Sequence, residues 1–408
     1  MKLSKRILAL VLAVIMVASV SALTSCSGDG LDVPKFSEET IKIGLTGPLT
    51  GGAAVYGTAV RNAARLAVHE INAAGGLKVG DKNILFSLEM LDDVHDATKV
   101  PGLYGELKKK GMQVSLGTVT TKPGLEFANL SKEDNLFFIT PSATGDDIPA
   151  NANGYQMCFA DSNQGTEAAK WFNENYMGKT VGVFYKSDDE YSKGIYDNFK
   201  ANLDASFNLD AHTATFQGEA ATFDSQIQIL KNCEVVFMPI YYTPASQFMT
   251  QANNTQNSIA VYYGCDGFDG IDAIEGFDIN TVKQEVSYLS HFNSNAKEGP
   301  AKKFIDKYNE TFDSSKEPIN QFGASAYDCV YAIYEALKVA VANGKTVDGS
   351  TSASDMCNIL TEVFQSDSFE FRGITGKTVG DELSHIQWND NGTVAKEAIK
   401  YVVKQKTA

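Results

Sequence analysis

The stretch QVSLGTVTTKPGLEFANLSKEDNLFFITPSATG, residues 113–145, decides how this chain is read. Residues 113–117 and 136–140 are short apolar runs with strand character, and each opens into a hydroxyl-rich loop. Thr118, Thr120 and Thr121 follow the first run; Thr140, Ser142 and Thr144 follow the second. Between them Pro123 suits the first position of a helix reaching residue 134, where its missing N–H costs nothing. Backbone donors and a partial positive charge at that helix start point back at Thr120 and Thr121, which makes an anion site of carboxylate size. Ser142 offers a carbonyl and Thr144 a hydroxyl, both able to accept from an ammonium group. Two loops leaving the carboxyl ends of neighbouring strands can thus hold both ends of one amino acid. The same residue types also make ordinary turns, so the rest of the chain has to decide.

Upstream, residues 41–45 read as a strand ending in the glycine-rich loop 46–52, which can close on a ligand. A helix over 54–74 puts Val60, Ala64, Ala67, Val68 and Ile71 on one side and stops at Gly75-Gly76. A strand over 84–91 and a helix over 97–110 lead to the central stretch. Strand, helix and strand at this spacing predict a parallel sheet with helices on both faces and a ligand beyond the carboxyl ends of the strands. Downstream the pattern starts again. Helices over 163–176, 190–205, 222–231 and 244–253 alternate with strands over 180–185, 211–216, 234–238 and 259–263, and two lobes of one construction enclose a cleft. A strand over 285–291, helices over 297–312, 322–342 and 354–364, and a C-terminal pair of strands over 382–388 and 399–404 complete the reading.

The N-terminus is a separate device. Lys2, Lys5 and Arg6 precede an apolar run over 7–22, and Leu23-Thr24-Ser25-Cys26 follows, the arrangement of a bacterial secretory signal ending in a cysteine. Residues 1–25 are therefore expected to be removed, Cys26 to be acylated, and the protein to work outside the cytoplasm as a membrane-anchored lipoprotein. Loss of the three positive charges in residues 1–25 takes the formal net charge from −15 to −18, which disfavours nucleic acid as a partner. Cys158, Cys233, Cys265, Cys329 and Cys357 remain, an odd number without CxxC spacing. They support neither a disulfide framework nor a metal site, and suit small buried apolar positions.

With these elements in place, IKIGLTGPLTGGAAVYG (41–57), NAAGG (72–76), LEMLDD (88–93), the central stretch, DSNQG (161–165) and AYDCVYAIYEALK (326–338) follow one another in an order that resembles the extracellular solute-binding proteins of branched-chain amino acid ABC transporters. The resemblance covers residues 41–404. It implies an α/β fold of the periplasmic-binding-protein-like type I, two doubly wound lobes joined by three crossovers. The first lobe would hold residues 41–159 and 293–366, the second 160–292 and 367–408, with a linker over 26–40 and crossovers near 159–161, 290–293 and 366–371. It also implies a monomer without cofactor that takes an amino acid, branched-chain or other small aliphatic, to an ABC permease. Residue by residue, Thr121 matches the carboxylate-binding position, Ser142 the ammonium-accepting carbonyl and Thr144 a residue contacting both groups. Asp266 matches the acidic partner of the ammonium, while Tyr56, Tyr191 and Tyr242 wall the side-chain pocket, with Tyr241 open as the alternative to Tyr242. Two departures stand out. Where well-known members carry a disulfide, this chain has His95 and Thr120, and where they carry glutamate it has the shorter Asp266.

A hydrolase finds little support. Gly323-Ala324-Ser325-Ala326-Tyr327 fails the nucleophile-elbow pattern at its last position, and His69-Glu70 lacks the second histidine of a zinc helix. The five histidines are scattered, and Asp188-Asp189-Glu190 reads as a solvated helix start. No enzyme activity is expected. The same fold could instead bind an amide, a small acid or a peptide, or report a ligand to a signalling receptor. A receptor ectodomain would carry a membrane helix after the last strand, where this chain has Lys404-Gln405-Lys406-Thr407-Ala408, so a transport component is the expectation.

Overall fold

A computed structural model describes residues 29–376 and 382–406; the signal segment and Cys26 lie outside them. The chain opens with β1 (Thr40–Gly47), all eight residues of which are buried, as a strand covered on both faces requires. A Cβ at Gly44 would run into the Met112 side chain, so a larger residue in this strand would require Met112 to move. The helix Ala54–Ala73 lays Val60, Ala64, Ala67 and Val68 into the core. It stops where predicted: Gly75 and Gly76 take φ of +102° and +72°, and Gly76 N–H returns to the Ile71 carbonyl. Then follow β2 (Leu77–Val79), β3 (Lys82–Asp92), the helix Val100–Lys109, β4 (Val114–Ser115), the helix Thr121–Asp134, β5 (Phe138–Thr140) and β6 (Gly154–Gln156). They form one sheet in the order β2-β3-β1-β4-β5-β6, parallel except for the β2–β3 hairpin.

The second lobe repeats the plan. After the helix Asp161–Asn175 come β7 (Val181–Lys186), the helix Glu190–Asn202, β8 (Thr213–Phe216), the helix Asp224–Leu230, β9 (Val235–Met238), the helix Tyr242–Ala252, β10 (Val261–Gly264) and β11 (Glu285–Ser290). The order β8-β7-β9-β10-β11 matches β3-β1-β4-β5-β6 strand for strand. In each lobe the order reverses beside the first strand, and there, at the carboxyl ends, doubly wound sheets form their crevice. The chain then returns: the helices Gly299–Thr311, Gln321–Ala342 and Ala353–Phe364 pack on the first lobe, the second of them along Ala54–Ala73.

Three expectations need correction. Pro123 occupies the third helical position rather than the first, since Thr120 is the N-cap and Thr121 opens the helix. The first of the two C-terminal strands shortens from 382–388 to Ser384–Ile386, and the two go to different sheets. β12 (Phe371–Gly373) pairs with β13 (Ser384–Ile386), whereas β14 (Ile399–Lys404) adds antiparallel to β11. Residues 371–376 and 382–394 also stay with the first lobe, so the third crossover falls between residues 394 and 399, later than 366–371, and 367–408 does not belong to the second lobe as a block. The reason is aromatic. Trp388 packs against Tyr155, Phe364 and Phe369, its indole N–H reaches the Gln156 carbonyl at 2.7 Å, and Gln156 N–H reaches the Gly392 carbonyl at 2.9 Å. Among the described residues all five cysteines are free and buried, and no helix is long and apolar enough to cross a membrane.

Candidate functional site

The two crevices face each other, and the loops that leave the strand ends meet there. From the first lobe come Tyr56 in the first turn of Ala54–Ala73, Val119, Thr120 and Thr121 after β4, Ser142 and Thr144 after β5, and Phe322. From the second come Tyr191 at the start of Glu190–Asn202, Tyr241 at the cap of Tyr242–Ala252, and Asp266 and Gly267 after β10. Six of the seven residues expected to bind ligand therefore line one cavity. The walls also touch: Tyr56 Oη donates to the Gly267 carbonyl at 2.5 Å, and Thr243 Oγ1 to the Gly52 carbonyl at 2.8 Å. Between them lies about 220 Å³ of empty space, of which about 10 Å³ is open to the centre of a water molecule, the room of about one water. The lobes are closed. Roomier hollows, of about 340, 810 and 840 Å³ on the same water-centre measure, are each confined to the first lobe and do not bring the two crevices together.

The first wall is shaped by its own hydroxyls. Thr140 Oγ1 donates to the Thr118 carbonyl at 3.0 Å and accepts from the Ser142 and Ala143 N–H groups, tying the two loops together. Gln156 Nε2 takes the Ala143 and Gly145 carbonyls, and Asp161 N–H takes that of Thr144. The Ser142 carbonyl forms no hydrogen bond among the described residues. Thr120 caps the helix Thr121–Asp134 without a side-chain bond, and Thr121 Oγ1 is buried with no partner. This wall presents donors and neutral dipoles.

The second wall carries charge. Asp266 is 1% exposed; Tyr191 Oη donates to its Oδ1, its own N–H goes to Gln164 Oε1 at 3.1 Å, and Oδ2 has no partner. Burial pushes its carboxyl up to about 7, against the pull of Tyr191, Gln164 and the Gly267 N–H. Asp161, at the start of its helix, is likewise pushed well above the ordinary carboxylate range by burial, with Asp266 adding repulsion, and its Oδ1 is unpartnered. Asp189 is a helix cap, accepting from Ser192 N–H at 3.0 Å, so the acidic run over 188–190 starts a helix as expected, though Asp189 itself is buried rather than solvated.

Tyr242 is the expected residue that does not line the cavity. Its ring packs on Tyr56 at 4.5 Å and its hydroxyl accepts from Val55 N–H at 3.3 Å. Tyr241 faces the cavity instead, stacked on Tyr191 at 4.5 Å and 17°. Tyr241 is the extended cap and Tyr242 the first helical residue, so the chain turns between them and points the two rings apart. Phe322, Val119 and Gly267 were not singled out as lining residues, while Thr120 was read beside Thr121 at the anion site. Asp161 and Gln164 behind Asp266 were visible only as the DSNQG motif, whose spacing places them on one helix face.

Two facing crevices, one offering hydroxyls and a helix start, the other a buried carboxylate and tyrosines, define a two-lobed small-molecule binding protein. The sequence profile of the periplasmic binding proteins matches residues 40–381, and the chain belongs to that family of solute-binding proteins. It is 24% identical over 383 residues to the Leu/Ile/Val-binding protein BraC3 of Rhizobium johnstonii, covering 93% of this chain and all of that one. Its fold is similar to that of the branched-chain amino acid substrate-binding protein LivJ of Streptococcus pneumoniae in complex with isoleucine, with a TM-score of 0.70, 23% identity, and 90% and 98% of the two chains covered. A solute-binding protein of R. palustris in complex with benzoate is similar at a TM-score of 0.71 and 18% identity, covering 90% and 94%.

Proposed function

We propose that this chain is an extracytoplasmic binding protein that captures an amino acid with a branched-chain or other small aliphatic side chain between its lobes and hands it to an ABC permease, tethered to the membrane through a lipid on Cys26. One observation carries the reading: Thr121 Oγ1 and Asp266 Oδ2 belong to residues that line the same cavity from opposite lobes, both buried and both without a partner among the described residues. A zwitterion supplies what each lacks. Its carboxylate takes the Thr121 hydroxyl and backbone N–H at the helix start, and its ammonium takes Asp266 and the Ser142 carbonyl. Charge-assisted bonds contribute about 1.5–3 kcal/mol each, so four or five of them suffice for the ~8 kcal/mol of micromolar binding. The lobes part to admit the ligand and close on it again. A benzoate-like acid fits less well, because it has no cation for a buried Asp266.

The experiment is a melting-temperature panel on the purified protein with the twenty amino acids and benzoate. Small aliphatic amino acids raise the midpoint by ligand linkage. A panel without any shift, or a shift with benzoate alone, contradicts the reading. The anchor has its own check, since Cys26→Ser releases the protein from the membrane fraction, and a variant that still sediments with membranes argues for an uncleaved span.

A further inference from the structure

The loop after β3 holds two adjacent non-glycine residues in the left-handed region, Val94 at φ +49° and His95 at φ +65°. For a β-branched valine this backbone is a strained outlier, and such strain persists only where surrounding contacts over-determine it. Here two aspartates do so. Asp92 Oδ1 accepts from Leu49 N–H at 2.8 Å and Val94 N–H at 3.0 Å, its Oδ2 accepts from Thr50 Oγ1 at 2.6 Å, and Asp93 Oδ1 accepts from His95 N–H at 2.9 Å.

The loop so held delivers one side chain across the cleft. His95 Nδ1 lies 2.8 Å from Thr120 Oγ1 on the first lobe, and the imidazole stands edge-on to Tyr241 of the second, centroids 5.2 Å apart at 79°. Both Thr120 and Tyr241 line the binding cavity. Burial lowers the His95 pKa; the charges around it are Asp189, Lys186 and Glu219 of the second lobe and Asp96 of its own loop. The ring is therefore neutral near pH 7. Tyr241 in turn is stacked on Tyr191, the hydrogen-bond donor to Asp266, so His95 stands behind a continuous aromatic wall.

We propose that His95 is a positioning residue that sets the size preference of the cavity, fixing Thr120 on one lobe and buttressing Tyr241 on the other so that the wall does not yield to a longer ligand side chain. The inference rests on the amino-acid reading above. It is tested by titrating the purified wild-type protein, His95→Ala and His95→Asn with alanine, valine, leucine and phenylalanine in a calorimeter. Asparagine tolerates the left-handed backbone and keeps a polar group toward Thr120, so that variant removes the ring alone. In both variants the affinity ratio of the longest to the shortest bound side chain rises by about tenfold, the scale on which hydrophobic pockets discriminate size. Wild-type ratios in both variants overturn the inference, and so does a shift confined to His95→Ala, which would assign the effect to Thr120 without the ring. If the wild-type protein binds none of the four, the amino-acid reading itself has failed.

Discussion

The two lobes share one strand order, yet their walls do opposite work. The first meets the cavity with Thr121, Ser142 and Thr144, neutral groups held in place by Thr140 and Gln156. The second meets it with Asp266, backed by Asp161 and gripped by Tyr191. A duplicated scaffold fixes where the ligand can sit, while the few residues at the strand ends decide which end of it each lobe takes. Cleft formation is thus a property of topology, and polarity is a property of side chains.

The contrast can be broken most strongly from the charged side. Asp266→Asn keeps shape and loses charge, and calorimetry is expected to show amino-acid binding weakened by at least about 2 kcal/mol, about thirtyfold, because an enclosed ammonium loses its counter-charge; unchanged affinity would remove Asp266 from the site. Next comes pH. The Asp266 carboxyl is raised to about 7 by burial, so below that pH an ammonium has to displace a proton. Affinity is expected to fall by up to about tenfold per unit between pH 7 and pH 5 and to level off above 7. The ligand-free protein follows the opposite trend from this group. A raised folded pKa makes its ionisation destabilising, so the unliganded midpoint declines as pH rises from about 4 through 7. Asp266→Asn should flatten both profiles.

On the neutral side the effects are smaller. Thr121→Ala removes one hydroxyl and leaves the backbone donors, for an expected loss of about 1 kcal/mol that Thr121→Ser restores. Tyr242→Phe is smaller still. Its hydroxyl joins the lobes through Val55 rather than touching the cavity, so the change in affinity should stay under about 1 kcal/mol and be equal for all ligands. A loss that differed between side chains would return Tyr242 to the pocket.

How much of this could be read from the chain varied with the kind of information each feature needs. Periodicity located the main helices and most strands, because their burial is local in sequence, as in Ile41, Ile43 and Leu45 of β1. β4 shrank from the five residues expected to Val114–Ser115, since strand length depends on how its neighbours are staggered. Trp388 held the third crossover back through Tyr155 and Phe364, contacts distant in sequence that no composition shift announces. At the site, Thr121, Ser142 and Thr144 were legible as hydroxyls at strand ends, whereas Asp266 came into view only through the family resemblance. The choice between Tyr241 and Tyr242 was not legible, because it depends on where one helix begins. The missing disulfide positions turned out to be partners after all, His95 and Thr120 lying within hydrogen-bond distance.

The most direct measurement compares one ligand with its two halves. For the best amino acid of the panel, calorimetry is run on the intact zwitterion, on the carboxylic acid lacking its amine, and on the amine lacking its carboxylate. If Thr121 and Asp266 grip opposite ends, either truncation weakens binding by at least about 2–3 kcal/mol, since it leaves a buried group unpaired. Retention of full affinity by either half would contradict a site built from two complementary walls.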